Sequence, residues 1–482
     1  MLFFIVNFIL LFFWLNFFIY FLASNILRIW NYYILSFFFI IILLLNIFFN
    51  KTIYWYQYIL TFYKQLFFNI DFTWGFDILS LNLILLCSFL LLFCYLCYWH
   101  LKYLAIYYYF LLNFSLWILI NVFSSLDFFN FFIFFELIVI PMFLLIGIWG
   151  SRNRKITASY QLFIYTLFGS IFVFICIFDI LLSKGNLSFD FFLYSYYLES
   201  RQFIIWILLF LGFSIKVPIV PLHLWLPEAH VEAPTPGSVI LAGILLKLGT
   251  YAILRFLLGS FTIICYDLIF IVLIIALFSL THSSIVALCQ IDIKKIIAYS
   301  SVAHMNYSLL GLFSQSLLGL AGAYIMIFSH AITSSALFLG IGVLYDRYKT
   351  RLIFYYGGLA TFMPIFAIIY FIFILSNFGF PGTFNFIGEF LLTFGVLNFS
   401  FLIAFLSTFS LILSLMYSLF LYNRLFFGFV KSFFIKFYCD ITRLEFIFLI
   451  IFVVIIIIGG IFPMIIFDNI FFYIYKLKFF II

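Results

Sequence analysis

Charge is what this sequence has least of. Asp, Glu, Lys and Arg make up 8% of its 482 residues, while 68% are hydrophobic; a soluble domain carries about 25% charged residues. No water-soluble core could hide that much apolar surface, so most of the chain is solvated by lipid. The basic residues, which leave a net charge of +7, sit in short clusters between apolar runs and form no single soluble face. That argues against nucleic acid as a partner. Cysteine is sparse and scattered, at Cys87, Cys94, Cys97, Cys176, Cys265, Cys289 and Cys439. The lone C-x-x-C at Cys94 and Cys97 lies in an apolar run without the further ligands that a metal or redox site needs. It reads as two small apolar side chains in a membrane helix. A glycine-rich dinucleotide fingerprint is missing. So are the positive n-region and A-x-A site of a cleavable signal, and the first apolar stretch is read as the first span.

What fills the chain is apolar and aromatic, with 79 Phe and 33 Tyr. Lipid does not demand Phe over Leu, so the bias reads as mutational, from an AT-rich genome such as that of an organelle. A span takes ~20 apolar residues, and about fourteen segments qualify by that length. They lie near 2–24, 31–49, 78–98, 103–122, 127–149, 159–183, 203–226, 234–258, 261–281, 294–313, 316–345, 360–391, 399–423 and 445–468. The more polar stretches 51–75 and 185–202 are expected in loops or at the interface. The expected fold is all-α, a polytopic transmembrane helix bundle. Loops after odd-numbered spans carry 14 Lys and Arg against 7 on the other side. The positive-inside bias places the odd loops on the negative side and both termini on the opposite one.

Four charges stand out inside spans, where a charge near the centre costs at least ~2.5–3.5 kcal/mol on insertion scales. They are Glu136, Lys216, Lys247 and Glu389. Each has a plain structural alternative, an ion pair or a snorkelling lysine, and each also suits a proton carrier. Lys216 precedes Pro218, Pro221 and Pro227, which remove backbone donors and break a helix. Broken helix at membrane depth is tolerated only where it is buried in protein or lines a watery cavity. A lysine there has a proton affinity tunable by desolvation and by a nearby carboxylate. Lys247 sits among Ala242, Gly243 and Gly249, which suit close helix packing. Glu389 follows Gly379, Pro381, Gly382 and Gly388, which mark a second interrupted span.

Histidines extend this set, because imidazole titrates near neutral pH and can relay protons. His304 and His330 lie in polar strips that cross apolar spans, and His223 and His230 follow Lys216 at intervals of seven. The second pair could equally cap the broken helix. The interruptions fall in spans 7 and 12, and broken helices at matching positions of two halves point to inverted repeats. The expected organisation is therefore 1–102 for spans 1–3, 103–258 for a first five-helix repeat (spans 4–8), 259–424 for a second (spans 9–13), and 425–482 for span 14 and the tail.

The run KVPIVPLHLWLPEAHVEAPTPGSVILAGILLKLGTYAILRF resembles the most diagnostic segment of the antiporter-like, proton-pumping membrane subunits of NADH:ubiquinone oxidoreductase, respiratory complex I. Ala229 to Ser238, A-H-x-E-A-P-x-x-G-S, narrows the resemblance to one subunit type. FFELIVIPMFLLIGIWGSRNRKITASYQLFIYTLFGS, LCQIDIKKIIAYSSVAHMN, SHAITSSALFLGIGVLYDR and GFPGTFNFIGEF resemble further blocks in the family's order. Phe135 stands where a Trp is common, and Asn306 where a small residue is.

The resemblance implies a coupled pair, Glu136 and Lys216, a central relay at Lys247, an exit at Glu389, and His304 and His330 bridging the last two. It implies no cofactor in this chain; flavin, iron–sulfur clusters and ubiquinone would belong to partner subunits. The partners implied are the other membrane-arm subunits, especially the related subunits 2 and 5, together with lipids, in a mitochondrial inner membrane with both termini on the intermembrane-space side. A multi-subunit cation/proton antiporter shares the same axis and remains the alternative; a structural spacer and an independent carrier fit the buried charges less well.

Overall fold

The computed structural model describes residues 24–50, 56–63, 72–97, 103–189, 191, 197–431 and 439–464. The expected first span, 2–24, lies almost wholly outside these. The others coincide with helices: α1 (Ser24–Phe48), α2 (Ile78–Cys97), α3 (Ala105–Ser124), α4 (Phe128–Leu137), α5 (Val139–Trp149), α6 (Lys155–Lys184), α7 (Glu199–Lys216), α8 (Trp225–Glu232), α9 (Thr235–Ser260), α10 (Thr262–Cys289), α11 (Ile293–Leu312), α12 (Leu317–Tyr348), α13 (Pro364–Asn377), α14 (Phe384–Leu397), α15 (Phe401–Phe426) and α16 (Arg443–Ile461). Among the described residues, ten continuous helical stretches are long and apolar enough to cross a bilayer, α4–α5 counting as one. The chain is thus a multi-pass membrane bundle.

One element departs from the all-helical expectation. Within 51–75, expected in a loop or at the interface, Tyr58–Tyr63 and Phe72–Phe76 form an antiparallel pair, β1 and β2, in register Tyr58↔Phe76. Alternating Thr, Tyr and Phe favour a pleated ribbon once a turn brings them together.

Two compact units emerge. The first holds the described residues up to Ser214 with Tyr251–Ile264. Buried polar side chains tie its helices: Asn46 of α1 donates to Asn82 of α2 at 2.6 Å, and Tyr95, Asn113 and Asn31 link α2, α3 and α1. Asp77 caps α2 by accepting from the Ser80 amide at 2.9 Å and pairs with buried Arg255 at 2.6 Å. The Arg255 guanidinium also lies 4.7 Å over the Phe189 ring. The second unit holds Ile215–Thr250 and the described residues from Cys265 onward.

Both expected interruptions are present. α7 stops at Lys216 and α8 resumes at Trp225; α13 stops at Asn377 and α14 resumes at Phe384. A smaller break separates α4 from α5 at Ile138. Pro141 causes it, because it offers no N–H to the carbonyl four residues back.

Candidate functional site

Four buried side chains of the second unit form a file. Lys247, His330, His304 and Glu389 are each between 1% and 4% exposed. Lys247 sits in α9 on an α-helical stretch, Leu246–Ala252, flanked by two π-helical turns, Leu241–Leu245 and Ile253–Leu257. Such widened turns displace the i→i−4 ladder and recur at functional sites. The Lys247 Nζ donates to the Ala242 carbonyl at 2.6 Å and meets His330 Nδ1 of α12 at 2.9 Å. With the ammonium donating, Nδ1 accepts, and the proton of a neutral His330 ring sits on Nε2. The His330 and His304 rings are 5.4 Å apart, and His304 Nδ1 of α11 lies 3.6 Å from Glu389 Oε1 of α14. That gap closes with one small rotation or one bridging water. Amine, imidazole, imidazole and carboxylate follow one another through the protein interior. Lys247 does not snorkel to a surface.

Gly379 makes room at the far end. It has φ +68°, and a Cβ there would overlap the Glu389 carboxylate. Only glycine takes both that dihedral and that approach without strain. Asn385, one turn before Glu389, meets Thr333 of α12.

Lys216 ends α7, where a cation faces the negative end of the helix dipole. It is 1% exposed. The interruption after it strands carbonyls that side chains cover: Trp225 Nε1 donates to Ile215 O at 3.0 Å, and Asn306 Nδ2 of α11 to Pro218 O at 3.1 Å. Asn306, unusual by resemblance, thus has a definite job. α9 packs so closely here that a Cβ on Gly249 would meet the Val217 nitrogen. Glu136 belongs to the first unit, half-buried in the last turn of α4.

His223 lies within the interruption with His282 and Tyr299 as ring neighbours, at 5.6 and 6.1 Å. His230 of α8 is fully buried and stacks face to face on Phe338 of α12, centroids 4.8 Å apart. Neither of its ring nitrogens bonds to a described residue.

A second group was not anticipated. Lys294 and Arg351 counted only as loop cations, and Glu232 only as a motif letter. All three are buried, at 2%, 0% and 2% exposed. Lys294 Nζ donates to Ala233 O at 2.9 Å, Arg351 donates to Val231 O, and Arg351 Nη1 lies 3.8 Å from Glu232 Oε1. In a single sequence a buried loop cation looks like a solvated one. Among the described residues, no cluster of three or more His, Cys, Asp or Glu is placed to hold a metal ion.

This arrangement, an interrupted-helix bundle threaded by a Lys–His–His–Glu file, is that of an antiporter-like membrane protein. The family model described as NADH:quinone oxidoreductase/Mrp antiporter, TM matches residues 125–416, more than half of the chain, and the chain belongs to that family. It is 52% identical over 289 residues to NADH-ubiquinone oxidoreductase chain 4 of Marchantia polymorpha, covering 59% of this chain and 58% of that one. It is 50% identical over 289 residues to the protein of the same name from Arabidopsis thaliana, covering 60% and 58%. The chain therefore spans little more than half the length of the curated relatives it matches. Among solved structures it is similar to a chain of respiratory complex I from Thermus thermophilus with bound NADH, at TM-score 0.86 and 25% identity over 95% of this chain and 96% of that one. A chain of the Mrp complex from Dietzia sp. DQ12-45-1b shares the fold, at TM-score 0.83 and 18% identity over 94% and 93%.

Proposed function

We propose that this chain is a proton-translocating membrane subunit of NADH:ubiquinone oxidoreductase, corresponding to chain 4, and that it moves protons along Glu136, Lys216, Lys247, His330, His304 and Glu389. The observation that carries this reading is the buried contact of Lys247 with His330, continued through His304 to Glu389. Burying four titratable groups in sequence is costly, and a proton path is a use that such a file serves. The names of the curated relatives and the likeness to the Thermus chain support the same reading.

In this mechanism Glu136 tunes the proton affinity of Lys216. Charge arriving from a neighbouring subunit drives the change, and the proton passes to Lys247. Each pKa unit is worth ~1.4 kcal/mol, so a swing of a few units works against ~2.3 kcal/mol per charge per 100 mV. Lys247 hands the proton to His330, ring rotation or water carries it to His304, and Glu389 releases it on the positive side.

Redox chemistry, with flavin, iron–sulfur clusters and ubiquinone, belongs to partner subunits. The neighbours are the antiporter-like subunits 2 and 5, and the location is the mitochondrial inner membrane with both termini toward the intermembrane space. The two interrupted spans mark two inverted five-helix repeats, 103–258 and 259–424. Lys247→Ala, in complex assembled in membrane vesicles, is expected to cut NADH-driven proton translocation by at least tenfold, the low end of what a positioned proton-transfer group contributes being ~100-fold. Wild-type translocation would sink the proposal.

The second reading, a cation/proton antiporter subunit, draws on the family description and the fold shared with the Mrp chain. Cation-driven proton flux without NADH would favour it.

A further inference from the structure

We infer that Glu232, held loosely by Arg351 beside Lys294, is the proton-uptake site that feeds the relay through His230. The inference rests on the proton-translocation reading above and adds the mouth that reading lacks.

Three observations carry it. The first is burial without tight pairing. The same end of α12 holds two Arg–carboxylate pairs. Arg347 grips Glu445 with both nitrogens, at 2.9 and 2.6 Å, the bidentate geometry of a structural pair. Arg351 instead donates a hydrogen bond to the Val231 carbonyl and stands 3.8 Å from Glu232. Glu232 Oε2 bonds to no described residue. A buried carboxylate left with a free oxygen is a poor anchor, because buried pairs stabilise only when their remaining lone pairs are satisfied. Its open oxygen leaves a place for a proton to add.

The second observation is position. Glu232 ends α8, Lys294 begins α11, and Arg351 follows α12. The cluster therefore sits at the helix ends that adjoin the odd-numbered loops, the face that the Lys and Arg count assigns to the negative side. Asp346 and Lys349 form its exposed rim. Protons pumped outward start from this face.

The third is depth. Along α12, Asp346, Phe338 and His330 are eight residues apart, about 12 Å per step at helical rise. His230 stacks on Phe338, so it lies at a depth between the cluster and the Lys247–His330 contact. Both its nitrogens are buried and bonded to no described residue, and buried imidazole nitrogens without protein partners are where internal water sits.

The step is a simple transfer. A proton from hydronium at the rim binds Glu232 Oε2, and its bond to the water oxygen breaks. Neutral Glu232 no longer attracts Arg351, which stays on the Val231 carbonyl. Glu232 then gives the proton through water to a His230 nitrogen, and the regenerated carboxylate again attracts Arg351.

The test uses assembled complex in membrane vesicles. Glu232→Gln should lower NADH-driven proton translocation about tenfold while NADH oxidation by an artificial acceptor is retained. Glu232→Asp keeps the acid but lengthens the transfer, and should raise the solvent deuterium isotope effect on translocation above that of the parent. A purely structural pair would leave that isotope effect unmoved. An unchanged isotope effect in Glu232→Asp overturns the uptake role even if Glu232→Gln fails to assemble; so does normal translocation in Glu232→Gln. Lys247→Ala in parallel separates the two claims. If it stops translocation and Glu232→Gln does not, only the uptake site is wrong; if neither does, the transport reading has failed.

Discussion

The two interrupted spans break by different chemistry and end in opposite charges. α7–α8 is broken by prolines, and its loose carbonyls are covered by side chains, Trp225 of its own second half on Ile215 and Asn306 of α11 on Pro218. α13–α14 is broken by glycines at positive φ, Gly379 and Gly382. Its loose carbonyls are covered mainly by its own backbone: Gly379 N donates to Ser376 O, Phe380 N to Leu375 O and Thr383 N to Phe380 O. Proline removes the N–H that would have closed the turn, so help must come from side chains. Glycine keeps its N–H and turns back on itself. The charges follow the helix dipole: Lys216 sits in the last turn of a first half-helix, and Glu389 in the second turn of a second half-helix. Each is on the side of its half-helix that favours its sign. The proline break is thus an externally braced one, the glycine break a self-contained one.

Several substitutions would sharpen or break this contrast. Lys216→Ala removes the charge that ends the first half-helix of the proline break. Proton translocation by the assembled complex is expected to fall at least tenfold, and normal pumping would reduce that break to architecture. Gly379→Ala attacks the self-contained break. The left-handed dihedral costs roughly 1–2 kcal/mol with a Cβ, and the Cβ would displace the Glu389 carboxylate. Translocation should drop several-fold. Gly382→Ala, equally at positive φ but with open space around its Cβ, should lower the melting temperature without that functional loss. If the two alanines behave alike, the close approach to Glu389 does not matter. Asn306→Ala probes the external brace with the smallest effect. Leaving the buried Pro218 carbonyl uncovered costs roughly 1–3 kcal/mol, seen as a lower melting temperature with little change in turnover. No change in melting would mean water covers that carbonyl as well as the amide does.

Much of this was legible in the sequence. Spans, interruptions and the four intramembrane charges follow from periodic scarcity: prolines at 218, 221 and 227 and glycines at 379 and 382 stand out because so little else interrupts the apolar runs. The strands at Tyr58–Tyr63 and Phe72–Phe76 were missed, since a polar stretch between spans gives no signal for pairing until a turn closes it. Asn306 looked like a packing irregularity and is a carbonyl cap. Arg351 and Lys294 counted as loop cations and are buried. Hydropathy ranks a residue by its neighbours in the chain, and these are buried by α8, which is near them only in space.

By itself the sequence determined that this chain lives in lipid, how its helices run, where two of them break, and which charges lie at membrane depth. Those follow from one-dimensional rules, because lipid forces every backbone group into a local hydrogen bond and makes each stray charge conspicuous. Tertiary structure alone decided the partners. Lys247 meets a histidine 83 residues away, and Glu232 faces an arginine 119 positions on at 3.8 Å. Contacts of that range are set by which helix faces pack together, which no local pattern encodes.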